Sequence, residues 1–326
     1  MNPKNIFDKI ATLKVAIIGD VMIDSYIYGR VNRMSPEAPV PIVDVYKKEN
    51  RLGGAANVAL NVKALGAKPY LISILGDDGD GRKAEQLLNE AGISDAHILL
   101  SKERQTTVKT RILGNNRQIA RVDQEMTETL GELDNKRLIN TLQNIIENID
   151  VIILEDYDKG VLGKHNIETI IKLANNKNVP TIVDPKFNNF KLFKGVSLFK
   201  PNLKELSQGM DTKIGNDYSI EDVMKLESDL RKEMDYQIGL ITLSERGVLI
   251  QNNAKSFSAV AHSRNIADVS GAGDTVISVA ACALAVGADL ETIANLSNLA
   301  GGLVCEHPGV VPLNLAKLIS EATKLT

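Results

Sequence analysis

Short apolar runs of strand length recur along this chain and alternate with stretches of helical periodicity. The first run, KVAIIG, stops at Asp20, and later runs of the same kind lead to Asp156, Asp184 and Asn202. Such runs are typical of strands buried on both faces, and strands that alternate with helices favour a mostly parallel sheet between helical layers. The sequence therefore predicts a three-layer α/β/α fold, with ligands bound beyond the carboxyl ends of the strands.

Two segments interrupt this alternation, at residues 25–52 and 105–123. Both are rich in β-forming residues and lack helical periodicity, and the second predicts a hairpin that turns at residues 114–116. Because they leave the alternating core at two separate places, we expect one small β-sheet at an edge of the main domain. Such a sheet can serve as a lid that excludes water or as a homodimer interface that covers strand edges.

Composition excludes several classes of protein and of site. The chain has a formal net charge of −3 and no tryptophan, which argues against a broad nucleic-acid surface. Cys282 and Cys305 lie in apolar stretches, so we expect core thiols rather than a disulfide. The four histidines are not paired with cysteine at metal-ligand spacing, so a metal would be bound by oxygen. With neither a secretory signal nor a membrane-spanning run, we expect a cytoplasmic protein.

The segment DVSGAGDTVIS places two glycines and two acids just before an apolar helical stretch. We expect the helix to begin at Gly273 or Asp274 and to end at Val286. The amides of Gly271, Ala272 and Gly273 would then be unpaired at the positive end of the helix dipole and would bind an anion. Asp274 beside that anion suits a base that takes a proton from an attacking hydroxyl. An ordinary helix cap with a flexible turn is the alternative.

A second glycine pair, Gly53 and Gly54, precedes a predicted helix whose first turn carries Asn57. Backbone without side chains lets a ligand ring approach, and the Asn57 amide can donate to and accept from sugar hydroxyls. Asp24, beyond the first strand, could accept two hydrogen bonds from a vicinal diol. The alternatives are a plain turn and a solvated loop acid.

Two further stretches place polar residues in predicted turns. FKPNLKEL sets Asn202 and Glu205 three residues apart, where both could serve one Mg²⁺ through water or could form a helix cap. LSERG lies between two predicted strands and suits either a nucleotide contact or a plain hairpin. Its candidate residues are Ser244, Glu245 and Gly247.

Basic residues alternate along the second irregular segment, so that Lys109 and Arg111 share one face of the predicted hairpin. That face could bind a phosphate carried by a substrate, whereas charges on an exposed ribbon otherwise serve solubility. Lys186, at the end of a predicted strand, offers another point charge for a phosphate, with plain solvation as the alternative.

In this order, the motifs resemble those of the ribokinase-like (PfkB) family of carbohydrate kinases. The resemblance rests on GDxxxD, GGAANVA, PNxxE and the late DxxGAGDT, and it covers nearly the whole chain. Within the family, SPEAPVP, EDYDKG and VDPK resemble the kinase module of bacterial enzymes that make ADP-heptose for lipopolysaccharide. Those enzymes phosphorylate D-glycero-D-manno-heptose 7-phosphate at its anomeric hydroxyl. The resemblance implies one ribokinase-like domain over residues 1–326 that acts on a sugar phosphate with ATP and Mg²⁺.

The resemblance also implies a role for each candidate residue. The catalytic group comprises the base Asp274 and its anion hole, Gly271, Ala272 and Gly273. The substrate group comprises Asp24, Gly53, Gly54, Asn57, Lys109, Arg111, Asp156 and Lys186. The nucleotide group comprises Asn202, Ser244, Glu245 and Gly247. The metal group comprises Glu205, which would hold Mg²⁺ through water, and Asp268 and Ser270, which would bind a monovalent cation such as K⁺.

The chain departs from the family pattern at Glu155 and Asp158, where smaller residues are expected, and in CEHPGVV near the carboxyl end. It lacks the H-x-G-H motif of an adenylyltransferase, so we expect no such module and a separate protein for nucleotide attachment. A kinase for ribose, fructose or a nucleoside and a non-catalytic sugar-binding relative stay open. A dinucleotide-dependent dehydrogenase is least favoured, because no G-x-G-x-x-G follows the first strand.

Overall fold

A mostly parallel β-sheet forms the centre of the protein in a computed structural model, which describes residues 3–115, 117–215 and 217–324. Its strands are β1 (Lys14–Gly19), β4 (Lys68–Gly76), β5 (Ile98–Ser101), β8 (Val151–Glu155), β9 (Thr181–Asp184), β10 (Leu198–Phe199), β11 (Ile238–Thr242), β12 (Val248–Gln251) and β13 (Ser256–Ala259). They lie in the order β13-β12-β11-β10-β9-β8-β1-β4-β5. β12 and β13 pair antiparallel at one edge, whereas the strands from β11 to β5 are parallel.

Helices cover both faces of this sheet. Those on one face are α1 (Pro3–Ile10), α2 (Ala55–Ala64), α3 (Gly79–Glu90), α8 (Ala272–Ala285), α9 (Leu290–Val304) and α10 (Leu315–Ala322). Those on the other are α4 (Glu132–Ile145), α5 (Lys164–Asn176), α6 (Leu203–Gly209) and α7 (Ile220–Met234). Short 3₁₀ turns occupy Ile146–Asn148, Phe187–Leu192 and Ser244–Arg246. The three-layer α/β/α prediction is confirmed.

The first strand explains why the sheet needs two helical layers. Val15 and Ile17 of β1 belong to one apolar core and Ala16 and Ile18 to the other, and all four are fully buried. Successive residues of a strand point to opposite faces, so an unbroken apolar run must be covered on both sides. In the described ranges, no helix combines the length and apolar content that a bilayer span requires.

A second sheet of four strands stands beside the first in the described part of the chain. Its strands, in spatial order, are β3 (Pro41–Gly54), β2 (Val21–Met34), β6 (Thr107–Gly114) and β7 (Arg117–Gln124). This confirms the predicted small sheet, although β2 begins directly after Asp20 and so earlier than expected. The hairpin between β6 and β7 turns where predicted, but Asn116 of that turn lies outside the described residues.

The two ends of the small sheet differ in their surroundings. The inner end joins the main domain, where β3 leads into α2 and Asp24 pairs in register with Arg51 of β3 and Lys109 of β6. The outer part carries apolar side chains in solvent, with Tyr46 61% and Val122 56% exposed. Only the inner end can therefore contribute to a site at the edge of the main sheet.

Candidate active site

The glycine turn before α8 differs from the prediction at its amides. Gly271 caps the helix with a left-handed φ of 78°, so α8 begins at Ala272, one residue earlier than predicted, and ends at Ala285, one residue short of Val286. The Ala272 amide donates to the Val269 carbonyl at 3.3 Å, which corrects the expectation of three unpaired amides. The Gly271 and Gly273 amides have no partner among the described residues, so this turn keeps two free donors.

A side chain cannot replace the hydrogen at Gly271. Besides the left-handed backbone, a Cβ atom there would lie 2.9 Å from the Asn57 side-chain amide. The glycine therefore lets α2 and α8 approach closely, and this approach places Asn57 beside the first turn of α8.

Asp274 stands in that first turn and is 4% exposed. Its Oδ2 accepts from Asn57 Nδ2 at 2.6 Å, and its Oδ1 accepts from the Tyr157 hydroxyl at 2.7 Å. Burial raises the pKa of Asp274, while the hydrogen bonds from Asn57 and Tyr157 lower it, and the net shift is upward. The side chain is thus held in one orientation with an increased affinity for a proton.

Tyr157 links this carboxylate to basic residues of two other elements. It follows β8 by two residues, and the ammonium groups of Lys109 and Lys186 lie 5.8 and 5.2 Å from its ring centroid. Burial and the neighbouring carboxylates raise the pKa of Tyr157 well above its usual value, so the hydroxyl stays a donor. A side chain of the small sheet therefore reaches the group that holds Asp274.

The inner end of the small sheet gathers several of the predicted substrate residues. The Asp24 carboxylate, 5% exposed, accepts from the guanidinium of Arg111. That guanidinium also lies 5.4 Å from the ring centroid of Tyr26. Gly53 faces the same carboxylate, since a Cβ there would lie 2.4 Å from Asp24 Oδ2. These contacts form a polar surface with an ion pair where a sugar was predicted.

Carboxylates crowd the carboxyl ends of β8 and β9. Oxygen atoms of Glu155, Asp184 and Asp274 all lie within 4.8 Å of one another. Lys200, itself 2% exposed, places its Nζ 2.8 Å from Asp184 Oδ2, and Lys186 Nζ lies 3.7 Å from Asp184 Oδ1. We name the three carboxylates the acidic cluster.

The PNxxE segment forms a helix cap, which is the alternative that the sequence left open. The Asn202 side chain accepts from the Glu205 amide, and the Glu205 side chain accepts from the Asn202 amide, both at 2.8 Å. The other Glu205 oxygen accepts from Lys186 Nζ at 3.0 Å. Both carboxylate oxygens of Glu205 therefore have protein partners, and its role at Mg²⁺ stays a prediction.

A cavity of about 780 Å³ opens beside the glycine turn. Its lining includes the predicted nucleotide residues Ser244, Glu245 and Gly247 together with Ala272 and Gly273. The wall is also partly apolar, with contributions from Val248, Ile266, Val269 and Val276. Asn202 does not line this cavity, but it forms a β-bridge with Thr242, which does line it. Three of the four predicted nucleotide residues, Ser244, Glu245 and Gly247, therefore line the same cavity as the predicted anion hole.

Two other predicted residues have structural partners instead of an open site. Asp156 is fully buried, and its carboxylate accepts from Asn189 Nδ2 and from the Asp158 amide. Burial raises the pKa of Asp156 to about 7. Asp268 accepts from the amide and hydroxyl of Ser270 and from the Gly309 amide. Their roles toward substrate and monovalent cation stay predictions.

Comparison with known proteins establishes the family. The model of the pfkB family of carbohydrate kinases matches residues 12–316. The chain belongs to this family. A curated relative from a Nitratiruptor species, named bifunctional protein HldE, is 40% identical over 306 residues, which cover 94% of this chain and 64% of the relative. A relative from Bordetella bronchiseptica, named D-beta-D-heptose 7-phosphate kinase, is 37% identical and is covered over 98% of its length.

Solved structures share the fold of this pfkB-family chain. Phosphofructokinase-2 from Escherichia coli, solved in complex with substrates and products, gives a TM-score of 0.80 at 17% identity and covers 96% of this chain. Ribokinase from Arabidopsis thaliana, solved with ribose and ATP, gives 0.74 at 18% identity and covers 94%. Each is covered over 99% of its own length. The ribokinase-like fold predicted from the motifs is confirmed.

Tyr157 and Lys200 lie at the site of this pfkB-family chain, although the sequence did not single them out. Tyr157 stands in EDYDKG, and its distance from Asp274 is set by packing between elements 117 positions apart. Lys200 stands at the end of the apolar run VSLFK, where a buried cation requires a carboxylate partner. A lysine directly after a buried apolar strand is the sequence signal that could have identified Lys200.

Proposed function

We propose that this chain transfers the γ-phosphoryl group of ATP to the anomeric hydroxyl of D-glycero-D-manno-heptose 7-phosphate, giving the 1,7-bisphosphate. The observation that carries the proposal is the position of Asp274. Its carboxylate is buried, oriented by Tyr157 and Asn57, and adjacent to a glycine turn with two free amides. The Bordetella relative, which is named D-beta-D-heptose 7-phosphate kinase, supports the choice of sugar.

On the acceptor side, Asp274 takes the proton of the anomeric hydroxyl as its oxygen bonds to phosphorus. The bond between the γ-phosphorus and the bridging oxygen breaks, and ADP leaves with that electron pair. The raised pKa of Asp274 suits a proton acceptor. Because both of its oxygens are held, the base needs no reorientation as the hydroxyl arrives.

On the donor side, the cavity of about 780 Å³ would bind the nucleotide, with the apolar wall of the cavity against the adenine ring. The amides of Gly271 and Gly273 would face the charge that develops on the transferred group. The Mg²⁺ that accompanies ATP would neutralise phosphate charge. Glu205 offers the oxygen chemistry for it through water, with its orientation fixed by Asn202 and Lys186. Asp268 and Ser270 would bind K⁺ beside the same turn.

Basic residues of the small sheet favour a phosphorylated sugar. Lys109 lies against the ring of Tyr157, which holds Asp274, and Arg111 pairs with Asp24 at the inner end of the same sheet. A 7-phosphate that contacted Lys109 and Arg111 would accept charge-assisted hydrogen bonds that a free sugar lacks. We further propose that the small sheet closes over this substrate as a lid.

A coupled ADP-release assay over heptose 7-phosphate, ribose, fructose and nucleosides tests the proposal. We expect the highest kcat/KM for heptose 7-phosphate. Lys109→Gln should raise KM for that sugar about tenfold and leave kcat for free sugars unchanged, because only the phosphate contact is lost. Arg121→Gln is the matched control, since Arg121 lies on the exposed strand β7 and pairs with Asp123. Equal turnover of free sugars would favour another pfkB-type kinase, and sugar binding without ADP release would favour a non-catalytic relative.

Several wider aspects of the proposal depend on the relatives. The chain spans 64% of the length of the bifunctional relative from Nitratiruptor, so a place in ADP-heptose and lipopolysaccharide synthesis is part of the proposal. We propose a cytoplasmic homodimer that pairs through the small sheet. Exposed Val45, Tyr46 and Val122 support this interface, because apolar side chains on a sheet favour a partner. A solution mass equal to one chain would refute it.

A further inference from the structure

The acidic cluster contains two carboxylates, Glu155 and Asp184, that the proposed kinase mechanism does not use. Glu155 is the last residue of β8, is fully buried and points toward Asp184 and Asp274. Neither of its carboxylate oxygens has a hydrogen-bond partner within the described residues. A buried carboxylate without a partner is costly, so it must gain either a proton or a cation.

Charge around Glu155 favours a cation. The negative charges of Asp184 and Asp274 and the positive charges of Lys186 and Lys200 all act on its carboxylate. Both lysines are already engaged, since Lys200 pairs with Asp184 and Lys186 pairs with Glu205. Their positive charge is therefore shared among more carboxylates than it can neutralise.

The distances in the cluster suit an oxygen-bound divalent ion. The three oxygens lie within 4.8 Å of one another. Ligands on opposite sides of Ca²⁺ stand about 4.8 Å apart, and those of Mg²⁺ about 4.2 Å, from metal–oxygen distances of about 2.4 and 2.1 Å. Asp274 can join such a site, because each carboxylate oxygen has two lone pairs and Asn57 and Tyr157 occupy one on each.

We propose that Glu155, Asp184 and Asp274 bind a divalent cation directly, in the absence of nucleotide and sugar. The site differs from the predicted Mg²⁺ contact at Glu205, which would depend on the phosphates of ATP. A cation here would favour the ionised form of Asp274 despite its burial. The inference goes beyond the proposed function, because binding of the ion requires no kinase activity.

Titration of chelator-treated protein comprising residues 1–326 with Mn²⁺ tests this site. The electron paramagnetic resonance signal of free Mn²⁺ reports binding, with neither nucleotide nor sugar present. We expect one tight Mn²⁺ per chain, and Glu155→Gln should weaken its binding about tenfold or more, since a direct ligand is lost. Mn²⁺ should also raise the Tm of the parent protein by more than that of the variant, by mass action.

Asp156→Asn provides the matched control for the titration. Asp156 is the neighbouring buried carboxylate, but Asn189 and the Asp158 amide already satisfy it. This variant should bind Mn²⁺ as the parent does, and Asp184→Asn should repeat the loss if Glu155→Gln fails to fold. Absence of Mn²⁺ uptake by the parent, or equal affinity in Glu155→Gln, would overturn the site. Mn²⁺ binding without ADP release on any sugar would keep the site and refute the kinase proposal.

Discussion

Asp274 and Glu155 are two buried carboxylates whose oxygens lie within 4.8 Å, yet their surroundings differ. Asp274 accepts one hydrogen bond on each oxygen, from Asn57 and Tyr157. In the described part of the chain, Glu155 accepts none on either oxygen. Burial raises the pKa of both, but only Asp274 is oriented by neutral donors. Equal burial thus gives one carboxylate ready for proton transfer and one that still needs a counter-charge.

The strongest test of this contrast removes the charge of Asp274. We expect Asp274→Asn to lower kcat about 10²- to 10⁴-fold, the usual contribution of a positioned base. The new amide can keep the bond from Tyr157 through its oxygen. Asn57 can turn its side chain to accept from the new amide nitrogen, because its own Oδ1 has no partner among the described residues. ADP release at saturating sugar and ATP measures the effect.

Unchanged folding is the control for this variant. Its thermal transition and its affinity for a fluorescent ATP analogue should match those of the parent protein. Equal rates of ADP release in the two proteins would show that Asp274 is not the catalytic base. The hydrogen bonds from Asn57 and Tyr157 would then have no role in proton transfer.

A smaller effect is expected when the hydroxyl that holds Asp274 is removed. Tyr157→Phe should lower kcat/KM about 10- to 100-fold, as for a lost hydrogen bond to a charged group. That bond lowers the pKa of Asp274, so its loss should raise this pKa and move the acid limb of the pH–rate profile to higher pH. The profile of kcat/KM against pH separates this positioning role from simple destabilisation.

Tyr236→Phe is a suitable comparison for that experiment. Tyr236 is also buried, but its hydroxyl donates to the Glu227 carbonyl and lies outside the site. Its removal should leave the acid limb where it is. An unshifted limb in Tyr157→Phe would mean that Asn57 alone sets the behaviour of Asp274.

The sequence predicted the parts of this region that are local along the chain. The glycine turn, Asp274 and the strands follow from residues that are neighbours in sequence, and the start of α8 was correct to one residue. Pairings between distant elements were not predicted, such as Tyr157 with Asp274 or Lys200 with Asp184. A motif specifies a turn, whereas the packing of β8 and β9 against α8 and the pairing of β10 with β9 decide which side chains meet there.

Glu155 is a second case in which the sequence alone did not predict the contacts of a side chain. The sequence identified it as a departure from the family pattern but could not tell whether it had a partner. Asn202 and Glu205 were predicted at a ligand, and they form the helix cap that the sequence held as the alternative. Only the geometry distinguishes a residue that completes a helix from one that waits for a ligand.

The smallest expected effect concerns the stability that Glu155 costs the metal-free protein. Burial raises the pKa of Glu155 in the folded chain far above its usual value of about 4. At pH values between the unfolded and the folded pKa, only the folded chain holds the proton. Stability should therefore fall as pH rises, and Glu155→Gln should remove that part of the fall. Because the amide stands in for the protonated acid, we expect no difference near pH 4 and a gain for the variant that grows as pH rises, by about 1.4 kcal/mol for each pH unit between the unfolded and the folded pKa.

Urea unfolding in chelator at several pH values measures this difference between Glu155→Gln and the parent protein. Addition of Mn²⁺ at pH 8 should then stabilise the parent more than the variant and close or reverse the gap, because the ion supplies the missing counter-charge. A parent protein as stable as the variant at every pH would show that Glu155 already has a partner in solution. The contrast between the two carboxylates would then be one of position alone, with both satisfied inside the folded chain.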